Sequence, residues 1–467
     1  MAEMTSGRVW QPPRRVLMIA AAFPPTGGAG VQRSAKFAKY LPRAGWSPIV
    51  WTSRRTPGLP EDASLLSDLP SDVVIHRWDR GLSARRWQQR LREVGGGTSP
   101  LARLARAADW RVERWLAHRA WPDDHVAWAE TSVSPLARLI ERDAVDVVYS
   151  TYSPVSNHVL ALEMRTRTAR PWIADFRDLW TDECRYREPS DERRRADRAL
   201  EQRILETADA VIGVSARQTE VLAEHVPGRR DKFFTITNGF DPDDFEAVSA
   251  RRDGTLAPPS GRFVLAFVGR FDRYRINDAV LDGFRRFAGA LDRYAGRFVF
   301  RIVGQVTKEA RDRVGGTGLP CEFVGPVSHA EAIREMVAAD ALLVSGDDAG
   351  PHAGSVIAGK MFEYLAAGRP IVCVGPRDGE GERLVRSAGA GVTVACEAVA
   401  IEGAMRTVYE AWRAGDPLRG GVPGRLEPFS RAKLAKRLAD LLDRLVDGAR
   451  TSAKRRERES GSVVVSP

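Results

Sequence analysis

The stretch Ser355–Val374, SVIAGKMFEYLAAGRPIVCV, joins a short helical pattern to an apolar, β-branched strand pattern. The helical part is built from apolar and small residues, and it carries one base, Lys360, and one acid, Glu363. It ends at the GRP of positions 368–370 and runs directly into the strand. A lone acid between two elements that both have the pattern of buried segments requires a partner, because an unpaired buried carboxylate costs several kcal/mol.

The same strand-and-helix pattern recurs along the whole chain. Short apolar strands that alternate with helices predict parallel sheets covered on both faces. The strand segments are RVLMIAAAF, SPIVWTS, DVVIHRW, DVVYSTY, PWIADF, DAVIGVS and KFFTITNG, followed by RFVLAFVGR, RFVFRIVGQ, CEFVGP, DALLVSG, RPIVCVG and GVTVAC. A polar stretch with Pro258-Pro259 separates the two series and is typical of a linker. We therefore predict an α/β chain of two Rossmann-like, doubly wound domains that face a central cleft.

The predicted boundaries follow from this pattern. Residues 1–255 form an N-terminal Rossmann-like domain, and residues 256–428 form a C-terminal Rossmann-like domain. A helix over 429–448 braces the two, and 449–467 is a disordered tail because it lacks apolar residues. Ligands of such sheets lie beyond the carboxyl ends of the strands, which here face the cleft.

Composition describes a globular protein without a disulfide framework. The 467 residues are 43% hydrophobic and 28% charged, and the four cysteines include no CxxC pair and no nearby histidine at ligand spacing. This pattern argues against a zinc site and fits a reducing, cytoplasmic location. Arg14-Arg15 before VLMIAAAF is compatible with a signal peptide, but we favour a buried first strand because Pro24-Pro25 and the following glycines leave the apolar stretch short.

Positive charge is concentrated in residues 80–120. This segment has ten arginines and three acids, so it carries +7 of the formal net charge of +10. Its apolar residues recur at helical spacing and predict a basic amphipathic helical insertion. Such a helix either packs on its own domain with its arginines in solvent, or rests on an anionic membrane or a phosphate-bearing acceptor.

Two further motifs lie at strand ends. After the first strand, FPPTGGAGVQRSAKF places Gly27, Gly28 and Gly30 where a strand turns into a helix, so that backbone amides can approach an anion; a simple tight turn is the alternative. In the second domain, FVGRFDRYRIND places Arg270 directly after a strand, with Arg273 and Arg275 close behind. The planar guanidinium of arginine can donate two parallel hydrogen bonds to a diphosphate. Arginines of a solvated loop that bind no ligand would give the same sequence pattern.

Together with Lys360, these arginines predict a cationic site for phosphates. Glu363, one helical turn further, can accept two hydrogen bonds from a vicinal diol such as that of a ribose. A site for an anion beside a site for a diol indicates a nucleoside diphosphate. The alternative is a structural Glu363 paired with an arginine such as Arg369.

These motifs resemble those of the retaining GT-B nucleotide-sugar glycosyltransferases often called family four, or glycosyl transferases group 1. The resemblance covers nearly the whole chain. It rests on FPPTGGAGVQRSAKFAKYL, WIADFRDLW, ADAVIGVS, ITNGFDPDDF, VGRF, EFVGPVSHAEA and GKMFEYLAAGRPIV. It implies the GT-B fold, with an acceptor-binding N-terminal domain and a nucleotide-sugar-binding C-terminal domain. It also implies transfer of a sugar from a nucleoside-diphosphate sugar to a hydroxyl acceptor with retention.

The resemblance also implies roles for single residues. Glu363 matches the family's ribose-binding glutamate, Ser355 replaces the glutamate that meets the donor sugar, and Arg270 matches the phosphate-binding arginine. Arg275 is the nearest substitute for a lysine that usually follows. Where many members carry a histidine, this chain has DFRD, so Asp175 and Asp178 are the candidate catalytic groups and Trp180 a candidate for stacking on a sugar.

We expect no cofactor besides the donor substrate and no metal. Asp241-Pro-Asp243 resembles a metal-binding DxD, but it falls where the family has a structural turn. The expected acceptor is a lipid-linked or cell-surface glycan, which would place the protein at the inner face of a membrane during polysaccharide biosynthesis. A soluble natural product and a binding protein without turnover are the alternatives. Sugar-nucleotide epimerases share the architecture but not the histidine and acid pattern, and no nucleic-acid motif is present.

Overall fold

The computed structural model describes residues 13–54, 61–79, 121–183, 186, 190–249, 261–273, 275–291, 297–346 and 352–461. The basic segment 80–120 and the predicted domain boundary at 255/256 lie outside these residues. Among the described residues, no helix is both long and apolar enough to cross a membrane.

The N-terminal sheet is entirely parallel in the described part of the chain, with strand order β3-β2-β1-β4-β5-β6-β7. Its strands are β1 (Arg14–Ile19), β2 (Trp46–Thr52), β3 (Val74–Arg77), β4 (Val147–Tyr152), β5 (Trp172–Phe176), β6 (Ala210–Gly213) and β7 (Phe233–Thr235). Alternate residues of β1 enter two different cores, Leu17 and Ile19 on one face and Val16 and Met18 on the other. Both faces of the sheet are therefore buried, as its continuous apolar strands predict.

Helices connect these strands. They are α1 (Ala29–Tyr40), α2 (Ser64–Ser67), α3 (Val126–Arg142), α4 (Ser156–Thr168), α5 (Asp191–Thr207), α6 (Ala216–Glu224) and α7 (Pro242–Ser249), with 3₁₀ turns at Leu41–Ala44 and Arg230–Lys232. Strand order reverses between β1 and β4, so the crevice at their carboxyl ends is the ligand-binding position expected of a doubly wound sheet. The buried first strand predicted in RVLMIAAAF is confirmed as β1, which lies inside the sheet between β2 and β4.

The C-terminal sheet repeats this topology with order β10-β9-β8-β11-β12-β13, again parallel in the described residues. Its strands are β8 (Phe263–Val268), β9 (Phe298–Val303), β10 (Cys321–Gly325), β11 (Ala341–Ser345), β12 (Ile371–Val374) and β13 (Gly391–Val394). Its helices are α8 (Asp278–Ala290), α9 (Lys308–Gly315), α10 (His329–Ala338), α11 (Lys360–Ala366), α12 (Glu380–Ala388), α13 (Ala398–Arg413) and α14 (Pro423–Leu426), with 3₁₀ turns at Ala353–Ser355 and Glu427–Phe429. The two-domain α/β prediction is confirmed.

The last helix, α15 (Arg431–Gly461), returns to the N-terminal domain. Its Leu434, Leu438 and Leu442 pack in the same core as Phe37 and Ala38 of α1. The helix predicted over 429–448 is thus present and packs on the N-terminal domain, but it continues to Gly461. The prediction of disorder over 449–467 needs correction, since 449–461 is helical; this stretch is rich in arginine, glutamate, lysine and alanine, which propagate a helix well without an apolar face. Residues 462–467 are not described.

Candidate functional site

Lys360 opens α11 and reaches the carboxyl end of β8. Its Nζ lies 3.1 Å from the centroid of the Phe267 ring and 3.7 Å from the position that a Cβ on Gly269 would occupy. Burial, and then the charge of Arg275, hold the pKa of Lys360 well below its ordinary value. Within the described residues no carboxylate forms an ion pair with Nζ. The ammonium of Lys360 therefore lies against an aromatic ring and beside a glycine turn. An anion bound there would stabilise its charged form.

The two predicted phosphate-binding arginines lie in the loop that follows Gly269. The guanidinium of Arg270 is 71% exposed and lies 3.2 Å from the carboxylate of Asp272. The carbonyl of Arg275 accepts a hydrogen bond of 2.5 Å from Ser345 Oγ at the end of β11. Because β8 and β11 are neighbours in the sheet, this bond draws their two end loops together. The loop with both arginines therefore lies beside Lys360, as the sequence predicts.

Glu363 lies one turn after Lys360 on α11 and is half-buried. Burial raises the pKa of Glu363, while the charges of His329 and Arg431 act in the opposite direction. No described group hydrogen-bonds to its carboxylate. Arg369 instead donates a hydrogen bond of 2.8 Å to the carbonyl of Val337, so the alternative of a Glu363–Arg369 pair is not what the structure shows. The carboxylate faces the junction of the domains, where His329 begins α10 and Arg431 begins α15.

Ser355 lies in the 3₁₀ turn before α11, and its hydroxyl is already engaged. Ser355 Oγ donates a hydrogen bond of 2.7 Å to the carbonyl of His352. The Ser355 carbonyl accepts a hydrogen bond of 2.7 Å from Ser215 Oγ of the N-terminal domain. A further contact across the domains joins the amide of Arg217 to Glu380 Oε1 at 2.8 Å. Ser355 therefore links the two domains, and its hydroxyl, which donates to His352, retains lone pairs that can accept a hydrogen bond from a sugar hydroxyl.

The glycine turn and the DFRD segment of the N-terminal domain come together. Gly28 has a φ of +111° at the start of α1, a conformation that favours glycine. A Cβ on Gly30 would clash with the guanidinium of Arg177, so the second glycine permits this close approach. Arg177 Nη1 also lies 3.1 Å from the half-exposed carboxylate of Asp178. The sequence predicts Gly30 and Asp178 at the cleft separately, and Arg177 contacts both of them.

Asp175 occupies a different environment from Asp178. Its side chain is 0% exposed, and its two oxygens accept hydrogen bonds of 2.7 and 2.9 Å from Arg33 of α1, with the Tyr149 hydroxyl as a third donor. Arg33 also donates to the carbonyls of Ile236 and Thr237. The structure thus shows the Asp175 carboxylate as a buried partner of Arg33, and a catalytic role for Asp175 stays a prediction. Trp180 is likewise buried and packs with Tyr152.

A polar cluster at the crossover between the domains was not foreseen. Lys36 Nζ lies 2.5 Å from Asp241, 2.6 Å from Asp68 and 3.1 Å from Asp244, and His329 Nε2 lies 2.9 Å from Asp244. Burial raises the pKa of Asp241, but Lys36 and its other hydrogen-bond donors outweigh this and hold the pKa at about 2. The DxD-like carboxylate of Asp241 is thus bound by ammonium groups of α1. The signals available in the sequence were the DxD-like motif at Asp241 and the spacing of Lys36 and Lys39 on α1.

Comparisons with known proteins agree with this architecture. Residues 28–244 match Glycosyltransferase Family 4. No curated protein matches the chain in sequence.

Several solved structures share the fold at low sequence identity. A glycosyltransferase from Rickettsia africae has a TM-score of 0.58 at 13% identity, covering 93% of this chain and 99% of that one. The Anabaena protein HepE, in complex with UDP and glucose, has a TM-score of 0.53 at 15% identity, with coverage of 95% and 100%. The UDP-GlcNAc 2-epimerase of Neisseria meningitidis, bound to UDP-GlcNAc, has a TM-score of 0.53 at 13% identity, with coverage of 92% and 100%. The chain thus has the GT-B fold, and its residues 28–244 are similar to Glycosyltransferase Family 4.

Proposed function

We propose that this protein transfers a sugar from a nucleoside-diphosphate sugar to a hydroxyl acceptor. The observation that carries the proposal is Lys360, a cation of depressed pKa at the cleft end of β8, without a carboxylate partner among the described residues. A diphosphate placed there would supply the missing negative charge. The family match of residues 28–244 supports the same reaction class.

The donor site divides into two parts. Lys360, with Arg270 and Arg275 of the neighbouring loop, would bind the diphosphate through charge-assisted hydrogen bonds. Glu363 would accept hydrogen bonds from the two ribose hydroxyls. The absence of a described hydrogen-bond partner for Glu363, together with its position one turn after Lys360, supports this division.

In the proposed reaction, the bond between the anomeric carbon and the phosphate oxygen breaks, and its electron pair stays on the diphosphate. The acceptor oxygen bonds to the anomeric carbon on the same face, which gives retention, and its proton passes to an oxygen of the leaving phosphate. Lys360 and the arginines would stabilise the charge that grows on the diphosphate, so we propose a metal-independent reaction. Asp178, half-exposed beside Arg177, would orient the acceptor hydroxyl.

For the acceptor, we propose a lipid-linked or cell-surface glycan handled at the cytoplasmic face of a membrane. The support is the +7 charge of residues 80–120, which suits an anionic surface or a phosphate-bearing acceptor. This segment is outside the described residues. A soluble natural product as acceptor remains the alternative within the same reaction.

Ser355 supports a second candidate, a nucleotide-sugar-binding protein without turnover. The hydroxyl that stands where the family has an acid is bound to the His352 carbonyl. A donor sugar would then meet no carboxylate at this position.

One experiment separates the two candidates. We expect one member of a panel of nucleoside diphosphates to raise the melting temperature, because a ligand of the native state stabilises it. The corresponding nucleotide sugars, followed by NMR of the anomeric proton, should then show slow hydrolysis by the wild-type protein, and faster release with a suitable acceptor. Binding without release of the diphosphate would favour the second candidate, and a panel without any thermal shift would contradict both.

A further inference from the structure

A second cluster of ionisable side chains lies in the N-terminal domain, outside the donor site. Asp182 follows β5, Glu201 lies on α5, and His225 ends α6. One ligand atom of each lies within 4.8 Å of the other two, and His225 Nε2 is 2.6 Å from Asp182 Oδ2. Three segments far apart in sequence therefore direct two carboxylates and an imidazole at one point.

The charge of this cluster is balanced only in part by described protein groups, because His225 pairs with Asp182 and leaves Glu201 without a cationic partner. Glu201 is 2% exposed, and within the described residues its carboxylate accepts hydrogen bonds only from the hydroxyl and the amide of Thr181. No lysine or arginine of the described chain forms an ion pair with Glu201 or Asp182. A buried carboxylate of this kind is unfavourable without a cation.

The crossover cluster provides a contrast. Asp68, Asp241 and Asp244 also converge closely enough to hold a metal ion, but the ammonium of Lys36 lies among them at 2.5–3.1 Å. In that cluster a protein cation supplies the charge. In the cluster of Asp182, Glu201 and His225, the imidazole of His225 pairs with Asp182, but no described lysine or arginine pairs with Glu201.

We propose that Asp182, Glu201 and His225 bind a divalent transition-metal ion, with Zn²⁺ as the best fit. One imidazole nitrogen and two carboxylate oxygens are ligands that Zn²⁺ accepts at about 2.0–2.2 Å, with a fourth position for water. The side chains of Asp182 and His225 are 19% and 32% exposed, so the ion can enter from solvent. Binding displaces the proton between His225 Nε2 and Asp182 Oδ2 into solvent.

The ion would act as a positioning element. Asp182 belongs to the segment that begins with Arg177 and Asp178 after β5, and the ion would fix this segment to α5 and α6. The site is separate from Lys360 and Glu363, and the inference does not depend on the proposed transfer reaction.

The test is calorimetric titration of ZnCl₂ into the full-length protein after removal of metals with a chelator. We expect one saturable site per chain, with affinity lowered on the order of 100-fold in Glu201→Gln and in His225→Gln. His76→Gln and Glu410→Gln are matched controls that should bind as the wild type does. If Glu201→Gln does not fold, Asp182→Asn tests the same site. Co²⁺ gives a second measurement, because its tetrahedral visible absorption should appear in the wild type and be lost in the variants.

Zn²⁺ binding that is weak and non-saturable would overturn the proposal. So would a saturable site that is unchanged in all three variants, since the ion would then bind elsewhere on the chain.

Discussion

Replacing Lys360 by methionine is expected to lower kcat/KM for the nucleotide-sugar donor by about 10²–10³-fold, the loss typical of removing one group that stabilises transition-state charge. Methionine retains the length and the contact with Phe267 but removes the ammonium. Steady-state kinetics with the donor identified by thermal shift measures the change.

The stability of the same variant should move in the opposite direction. The lowered pKa of Lys360 means that folding disfavours its charged form, so the charge reduces stability at every pH at which the buried lysine is protonated. Lys360→Met should therefore melt at the same temperature as the wild type or higher in the absence of nucleotide. Lys436→Met, an exposed lysine of α15, is the matched control and should change neither quantity. Unchanged kcat/KM, or activity lost together with a lower melting temperature, would contradict a role in phosphate binding.

Replacing Asp175 by asparagine is expected to destabilise the N-terminal domain by about 3–5 kcal/mol, because it leaves Arg33 buried without its anion. Both side chains are almost fully inaccessible, and Arg33 also holds the carbonyls of Ile236 and Thr237. Chemical denaturation followed by tryptophan fluorescence measures the shift of the N-terminal transition.

A double variant separates this structural role from a catalytic one. Combining Asp175→Leu with Arg33→Met removes both charges, and it should recover part of the stability lost in Asp175→Asn, since replacing a buried pair by apolar side chains costs less than breaking it. Asp178→Asn is the exposed control and should change stability little. If Asp175→Asn kept full stability and lost only kcat, Asp175 would be the catalytic group that the sequence suggested.

The fold was readable from the sequence because each strand is a short apolar run between turn signals. SVIAGKMFEYLAAGRPIVCV shows this well, since its helix and strand became α11 and β12 with the ends that Gly368 and Pro370 indicate. Lys360 could be placed at a strand end for the same reason. Neighbouring parallel strands end at the same edge of a sheet. Lys360 therefore lies beside the loop of Arg270 and Arg275.

The surroundings of individual aspartate and glutamate side chains could not be predicted from the sequence in this way. Asp175 and Asp178 lie three positions apart in WIADFRDLW, and the sequence does not show that Arg33, on a helix more than a hundred residues earlier, occupies the face of β5 to which Asp175 points. The lysines of α1 that bind Asp241 are equally remote in sequence. Asp182, Glu201 and His225 have no ligand spacing at all, because three separate elements bring them together. Such contacts depend on packing across the domain, which local periodicity does not encode.

The most direct test of the central claim is calorimetric binding of the preferred nucleoside diphosphate and of pyrophosphate to the wild type, Lys360→Met and Glu363→Gln. If Lys360 binds the phosphates and Glu363 the ribose, Lys360→Met should lose affinity for both ligands. Glu363→Gln should have about 10–100-fold lower affinity for the nucleoside diphosphate, and it should bind pyrophosphate with the affinity of the wild type. Glu410→Gln, an exposed glutamate of α13, should bind both ligands normally. Wild-type affinity of both site variants for the nucleoside diphosphate would contradict the account.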